Sequence, residues 1–117
     1  MGLFGSRKSI MRIYMFDSED LPVGKFMIRF KEAVTAGGLT MGDLTQKQHM
    51  NGTDARCNII GGGYLEIHTE HAMPQPGMGT VRITVTAELS KDALKAIFSQ
   101  AETQLKYDDN VNWYSSY

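Results

Sequence analysis

The sequence predicts one α+β domain, a two-layer sandwich in which two helices cover one face of a mostly antiparallel sheet. Two apolar stripes recur at helical spacing, and the segments between them alternate apolar and polar residues as strands do. With 117 residues and 42% hydrophobic content, the chain has the size and composition of a single domain with a buried core. We therefore expect residues 1–117 to form one domain with the element order β-α-β-β-β-α-β, beginning with a basic arm over residues 1–9.

The first two predicted elements are a strand and a helix. Ile10–Phe16 carries apolar residues on both faces, which is typical of a central strand. Pro22 suits the first turn of a helix, and Gly37-Gly38 suits its end because glycine accepts left-handed backbone. The predicted helix has an apolar stripe of five residues: Val23, Phe26, Met27, Phe30 and Val34.

The middle of the chain predicts strands. Leu39–Gln48 is the first, and a turn over Met50–Asp54 separates it from two further segments, Ala55–Ile60 and Tyr64–Thr69. Gly61–Gly63 lies between these two segments. It suits either a hairpin turn or a bulge within one long bent strand, and the sequence leaves both interpretations open.

The last third predicts a loop, a strand, the second helix and a closing strand. His71–Gly79 is rich in proline and glycine, which favours a loop. Thr80–Thr86 alternates polar and apolar residues as a strand does, and Ser90 is suited to cap the helix that follows. That helix carries the second apolar stripe: Leu94, Ile97, Phe98, Ala101 and Leu105. Val111–Tyr114 predicts the last strand.

Composition excludes several functional classes. The net charge of −1 argues against general electrostatic binding of nucleic acid. Cys57 is the only cysteine, so no internal disulfide can form, and its apolar neighbours predict a buried thiol rather than a nucleophile. No stretch approaches the roughly 18–20 apolar residues of a membrane span, and Met1–Ile10 lacks the apolar core of a signal peptide. We expect a cytoplasmic protein without nucleic-acid or membrane partners.

One polar stripe has the residue types of a catalytic site. In a strand over Tyr64–Glu70, alternate side chains share one face, and we expect Thr80–Thr86 to present its polar residues on that same face. An imidazole titrates near neutrality, a flanking carboxylate orients it, and a guanidinium holds a substrate carboxylate. The predicted catalytic residues are Glu66, His68 and Tyr64, and the predicted substrate-binding residues are Arg82, Glu70 and Thr84.

The same stripe also has a purely structural interpretation. A sheet covered by helices on one face leaves the other face in water, where polar residues are the default. Cross-strand pairs of charged or threonine side chains stabilise such a sheet without any function. Both interpretations remain open from the sequence.

The sequence does not predict a metal site. His68 and His71 lie on opposite sides of an extended strand, and both reach one ion only if the chain leaves the sheet at Thr69 and His49 joins them. Gly61–Gly63 is not a phosphate loop, because no Lys-Ser/Thr pair follows it and no helix begins there. We expect neither a metal nor another cofactor.

The segment Gly63–Thr69 resembles a known family. Its sequence, Gly-Tyr-Leu-Glu-Ile-His-Thr, is similar to the processing region of the small prokaryotic S-adenosylmethionine decarboxylases, which follows the pattern Ser-His-Leu-x-Ile-His-Thr. The matching residues are Leu65, Ile67, His68 and Thr69. The predicted element order is also similar to that family's two-layer sandwich over most of the chain.

Departures from the family pattern imply that the decarboxylase reaction is absent. The family's enzymes cleave themselves before a serine that becomes a pyruvoyl group, and Gly63 at that position has no hydroxyl to attack the peptide carbonyl. Gly62 replaces the preceding glutamate, and no cysteine lies between Thr80 and Glu88, where the family has a catalytic one. His68 alone matches a functional residue, the family's processing histidine.

The resemblance therefore implies a homo-oligomeric relative that binds S-adenosylmethionine or a related nucleoside and cannot form pyruvoyl. A second resemblance, to small phage enzymes that cleave S-adenosylmethionine by lyase chemistry without a cofactor, rests on layout and implies roles for Tyr64 and Glu66. The alternative is a non-enzymatic oligomeric interaction or assembly protein, such as a viral structural or regulatory subunit. Its contact surface would be the methionines, the basic arm and the aromatic tail of Trp113, Tyr114 and Tyr117.

Overall fold

The computed structural model describes residues 7–17, 21–71 and 78–115. These residues form two helices and six strands: β1 (Lys8–Phe16), α1 (Val23–Ala36), β2 (Met41–His49), β3 (Gly52–Ile59), β4 (Gly63–His71), β5 (Gly79–Ala87), α2 (Lys91–Tyr107) and β6 (Tyr114–Ser115). The predicted fold class is confirmed. The predicted order is wrong in one respect, because four strands rather than three lie between the helices.

The fourth of these strands arises because Gly61–Gly63 makes a hairpin turn and not a bulge. The Gly62 N–H donates a hydrogen bond to the carbonyl of Ile59 at 3.0 Å. All three glycines have positive φ angles, between 97° and 134°, and the chain reverses so that β3 and β4 pair antiparallel. Left-handed backbone over three successive residues favours glycine at each of them.

The strands form one sheet in the order β2-β3-β4-β5-β1-β6, and every neighbouring pair is antiparallel. β5 and β6 lie on either side of β1, and α2 connects them, which is a split β-α-β arrangement. β1 is therefore an interior strand, in agreement with its two apolar faces.

One face of the sheet forms the core with the two helices. The inward side chains of β5 alternate with outward ones and are fully buried at Val81, Ile83 and Val85. Both predicted helical stripes face this layer, and the five stripe residues of α2 are all buried. The ring centroids of Phe30 on α1 and Phe98 on α2 are 5.0 Å apart, which joins the helices to each other.

The helix ends agree with the sequence. Gly38 follows α1 with φ of 92°, a conformation that a residue with a Cβ rarely adopts. The Ser90 hydroxyl accepts a hydrogen bond from the Ala93 N–H at 3.1 Å and so caps α2.

A polar contact links β1 to α2 within this layer. The buried Tyr14 donates its hydroxyl hydrogen to Glu102 Oε2 at 2.5 Å, and Arg12 Nη1 lies 3.2 Å from the same oxygen. The Arg12 guanidinium also lies 5.1 Å from the centroid of the Phe98 ring.

Tyr14 packs against the edge of Trp113 at 5.3 Å. Trp113 is therefore half-buried against the core, and its expected role in the contact surface of an assembly protein stays a prediction.

The two ends of the chain differ from their predictions. β1 begins at Lys8, two residues earlier than expected, and residues 1–6 of the predicted basic arm lie outside the described part of the chain. The closing strand is limited to Tyr114–Ser115. Val111 is buried instead, and its N–H donates to the Leu105 carbonyl at 2.9 Å. Tyr117 and most of the predicted loop between His71 and Gly79 are likewise not described.

Cys57 is a buried thiol, as the sequence predicts. Its side chain is fully buried, and its Sγ lies 3.9 Å from the Met27 Sδ. Burial raises the pKa of the Cys57 thiol, which favours the unreactive protonated form.

Among the described helices, none combines the length and the apolar character that crossing a membrane requires.

A paired salt bridge holds α1 against the turn that follows α2. Arg29 donates from Nε to Asp109 Oδ2 at 2.7 Å and from Nη2 to Asp109 Oδ1 at 2.9 Å. Hydrogen bonding to Arg29 holds the pKa of Asp109 below its ordinary value of 3.8.

This pairing predicts a pH-dependent effect of Asp109→Asn. A carboxyl group whose pKa is lower in the folded than in the unfolded state stabilises the fold above the unfolded pKa, and this stabilisation is lost as the pH falls through the folded pKa. We expect Asp109→Asn to lower the Tm by a few degrees at neutral pH, with the difference from the unsubstituted protein shrinking from about pH 5 to pH 2. Thermal melts followed by circular dichroism measure this difference. Asp108→Asn is the matched control, because the neighbouring Asp108 is exposed; equal losses in both variants would contradict the prediction.

Candidate functional site

The face of the sheet opposite the helices, called the open face below, carries all six predicted site residues. In the β4–β5 register, Tyr64 pairs with Thr86, Glu66 with Thr84, His68 with Arg82 and Glu70 with Thr80. Directly paired residues of antiparallel strands point to the same side of the sheet. The structure therefore brings the six together as two adjacent rows, each alternating with buried residues of its own strand.

His68 is the most constrained side chain of this group. Its Nδ1 shares a hydrogen bond with Asp54 Oδ1 on β3, which lies opposite it in the register. The His68 ring stacks on the His49 ring at 4.9 Å with an interplanar angle of 3°. Its Nε2 lies 4.0 Å from Glu70 Oε2, which is too long for a hydrogen bond. Asp54 thus orients the imidazole and leaves Nε2 without that restraint.

Glu66 and Tyr64 share a cationic neighbour. Arg56 on β3 lies opposite Glu66, and its Nη1 is 3.8 Å from Glu66 Oε2. The Arg56 guanidinium also lies 4.0 Å from the centroid of the Tyr64 ring, within the range of a cation–π contact. The exposed guanidinium of Arg56 and the half-buried carboxylate of Glu66 and phenol of Tyr64 therefore form one group on the open face.

Arg82 and Thr84 lie on the other side of β4 from these groups. Arg82 is exposed, and within the described part of the chain it has no ion-pair partner. Thr84 is half-buried between Glu66 and Met11, its partners on β4 and β1.

The open face also has an apolar margin along β1. Met11, Ile13 and Met15 lie on this face opposite Thr84, Arg82 and Thr80 of β5. Met11 is 49% exposed and Met15 37%. The face thus changes from charged and polar on β3 and β4 to apolar on β1.

The structure adds two residues that the sequence did not predict for the site, His49 and Asp54. Asp54 is expected in a turn, but β3 begins at Gly52, so Asp54 is a strand residue opposite His68. Polar Asp54, Arg56 and Asn58 alternate with buried residues, and this alternation is the signal that would have placed the start of β3 before Ala55. His71 stays in β4 on the opposite side from His68, because the chain does not leave the sheet at Thr69.

The depression nearest the site is small. It has a volume of about 200 Å³ and is lined by residues of β2, β3 and β4 that include Asp54, Arg56 and Glu66. Two larger clefts, of about 500 and 650 Å³, lie beside α2 and beside the end of α1, and neither contains a predicted site residue. A ligand at the predicted site therefore lies across a largely open surface.

Gly63, the position of the pyruvoyl-forming serine in the resembled family, has no room for a side chain. Its φ is 112°, and a Cβ placed there would lie 2.2 Å from the carbonyl oxygen of Thr86. The close pairing of β4 with β5 therefore requires glycine at this position. A serine at this position would therefore meet a backbone clash in addition to the strain of a positive φ angle.

Comparisons with known proteins give no relative for this chain: no model of a protein family, no curated protein and no solved structure matches it. The resemblance to the decarboxylase family therefore stays a prediction.

The geometry at Gly63 predicts that serine cannot be restored there. We expect Gly63→Ser to destabilise the protein by at least about 2 kcal/mol, through both backbone strain and the clash with Thr86. We expect no self-cleavage product by intact mass spectrometry. Gly61→Ser is the matched control, because φ is also positive at Gly61 but nothing lies within 4 Å of its added Cβ.

Urea denaturation of both variants measures the difference in unfolding free energy. Gly61→Ser should lose only about 1 kcal/mol, the cost of backbone strain without the clash. A Gly63→Ser protein as stable as Gly61→Ser, or one that cleaves before residue 63, would contradict this account of the turn.

Proposed function

We propose that this protein binds S-adenosylmethionine or a related nucleoside on the open face and that it does so without a pyruvoyl group. The observation that carries the proposal is the convergence of the six predicted site residues on one uncovered face. A carboxylate-binding cation, an aromatic ring and two acid–base groups lie there on neighbouring strands. These are the chemical groups that an amino-acid nucleoside requires.

Arg82 supports recognition of the carboxylate of such a ligand. Its guanidinium is exposed and has no ion-pair partner among the described residues. A planar guanidinium donates two parallel hydrogen bonds to a carboxylate, which gives both affinity and orientation. His68 on the paired strand lies beside it.

Tyr64 and Arg56 support recognition of the base. The cation over the Tyr64 ring at 4.0 Å creates a surface that combines aromatic and guanidinium groups. A purine stacks on aromatic rings and on guanidinium planes alike. Glu66, 3.8 Å from the same guanidinium, offers an acceptor for an amino or ribose hydroxyl group.

The acid–base groups also suit cleavage of a sulfonium ligand without a cofactor. A base that removes a proton from the carbon next to the C–S bond lets the neutral thioether leave as the carbon–carbon double bond forms. Glu66 or His68 is the base, Tyr64 orients the ligand, and Glu70 and Thr84 complete its contacts. Asp54 supports the role of His68 because it fixes the ring through Nδ1.

An open sheet face does not enclose a ligand by itself. The depression of about 200 Å³ is smaller than a typical ligand pocket of about 300–1,000 Å³. A second copy of the chain laid over this face would supply the missing walls, so the proposal includes a homo-oligomer. The exposed apolar margin of β1 supplies surface for such a contact.

We expect S-adenosylmethionine to raise the Tm of the protein in buffer containing EDTA, with saturation, because a ligand selective for the native state stabilises it by about 2.7 kcal/mol at one hundred times its Kd. Arg82→Ala should weaken binding about tenfold or more. Lys95→Ala is the matched control, because it also removes one positive charge but lies on the exposed side of α2. The Lys95→Ala variant should bind S-adenosylmethionine with the same affinity as the unsubstituted chain.

Chromatography of the ligand after incubation tests cleavage. We expect the unsubstituted chain to form a new product. If Glu66 is the base, Glu66→Gln should form none; if His68 is the base, His68→Ala should form none. Stabilisation without product would limit the proposal to binding. No change in Tm at millimolar ligand would overturn it.

The second candidate is the assembly protein, which the apolar margin of β1 specifically favours. Met11 and Met15 are exposed beside the half-buried Ile13, and methionine is common at adaptable contact surfaces. In this case the polar stripe only keeps the rest of the sheet hydrated and contributes no chemistry.

We expect Met11→Asp to shift the oligomer to a smaller species in size-exclusion chromatography with light scattering, because it places a charge in the apolar margin. Met50→Asp is the matched control, since Met50 is 96% exposed in the β2–β3 turn and lies off the margin. An assembly protein should also keep its oligomeric state in Glu66→Gln and His68→Ala. A monomer at all concentrations in the unsubstituted chain would exclude this candidate.

A further inference from the structure

Three metal-ligating side chains meet at one end of the open face. His49 ends β2, Asp54 lies in β3 and His68 in β4. One nitrogen from each imidazole and one oxygen of the carboxylate all lie within 4.8 Å of one another. The three ligands come from three adjacent strands, so the backbone hydrogen bonds of the sheet fix their spacing.

His49 Nε2 is a buried polar atom without a hydrogen-bond partner among the described residues. The carboxylate oxygen of Asp54 nearest to it is 3.9 Å away, beyond hydrogen-bond reach. A buried polar atom without a partner carries a desolvation penalty of about 1–3 kcal/mol, and such atoms in folded proteins usually have an explanation. A bound cation supplies one.

We propose that His49, Asp54 and His68 bind one first-row divalent cation, represented by Zn²⁺. Zn²⁺ and related ions bind readily to two imidazoles and one carboxylate, whereas Mg²⁺ and Ca²⁺ prefer ligand sets made of oxygen atoms alone. Three protein ligands would leave a fourth coordination position of a tetrahedral ion open.

The distances require only small movements. Ligand atoms lie about 2.0–2.2 Å from zinc, so two ligands of one ion lie about 3.4 Å apart in tetrahedral geometry and never more than about 4.4 Å. His49 Nε2 and Asp54 Oδ1 are 3.9 Å apart and no two of the ligand atoms are more than 4.8 Å apart, so each pair has to close by at most about 1.4 Å. The two rings, now parallel, turn so that each directs a lone pair at the ion.

Binding also changes one hydrogen bond at the β2–β3 turn. His49 Nδ1 accepts from the Asn51 N–H at 3.3 Å, so the proton of a neutral His49 is on Nε2. Coordination through Nε2 moves that proton to Nδ1 and breaks this long hydrogen bond. The same exchange gives a spectroscopic signature, because the imidazole ¹⁵N shifts and the Asn51 amide change together.

Cation binding at this cluster would affect the proposed function but does not depend on it. An ion takes a lone pair of His68, which leaves Glu66 as the acid–base group of the open face. Nucleoside binding is tested in EDTA and cation binding without nucleoside, so either can fail alone.

The test is calorimetric titration of the tag-free, EDTA-treated full chain with ZnCl₂, together with absorption spectra in CoCl₂. We expect one ion per chain, and we expect His49→Ala and Asp54→Asn each to lower the affinity by about tenfold or more. His71→Ala is the matched control, because His71 lies on the opposite side of β4 and its loss removes an imidazole without touching the cluster. Circular dichroism checks that each variant is folded.

Two results would overturn the proposal. One is the absence of binding at about 100 μM Zn²⁺, a level that a built three-ligand site should saturate. The other is an affinity unchanged in His49→Ala or lowered equally in His71→Ala, which would mean adventitious surface binding. A thiolate charge-transfer band in the cobalt spectrum would point to Cys57 instead and would likewise contradict it.

Discussion

Burial of one sheet face under two helices is the constraint from which the other features of this structure follow. Side chains of a strand alternate between faces, so once Val81, Ile83 and Val85 are assigned to the core, the neighbours of each are assigned to the other side. Residues of β1 and β4 that pair directly with these residues point to the same side of the sheet, so the pairing register determines the faces of β1 and β4 as well. A slip of one residue would expose the core of the slipped strand, and for this reason the placement of the polar stripe is as firmly determined as the core itself.

The link between β1 and α2 shows how polar groups are accommodated on the covered face. Arg12 and Tyr14 belong to the inward side of β1, and both reach Glu102 on α2, so the buried tyrosine hydroxyl and the half-buried charges are paired. The carboxylate, the guanidinium and the phenol on the open face have a different environment. Arg56 is exposed and contacts the half-buried Glu66 and Tyr64 at 3.8 and 4.0 Å, so these groups remain in contact with solvent.

The open face combines three chemistries in one row of strands. An apolar margin lies on β1, carboxylate, imidazole and guanidinium groups lie on β3, β4 and β5, and a cluster of imidazoles and a carboxylate lies near the β2–β3 turn. His68 belongs to the last two. As a base, His68 is oriented by its hydrogen bond to Asp54, whereas in the proposed cation site both residues coordinate the ion and this hydrogen bond is replaced.

The elements whose signals are local could be predicted from the amino-acid sequence. Periodicity predicted both helical stripes and the faces of β1, β4 and β5, and hence the positions of Glu66, His68 and Arg82 on one side of the sheet. The neighbours of each strand, in contrast, are known only from the folded chain. Asp54 and His49 meet His68 through pairing between strands, and Gly63 is confined by the carbonyl of Thr86 on β5. Such contacts join residues far apart in the chain, and no period within a single segment encodes them.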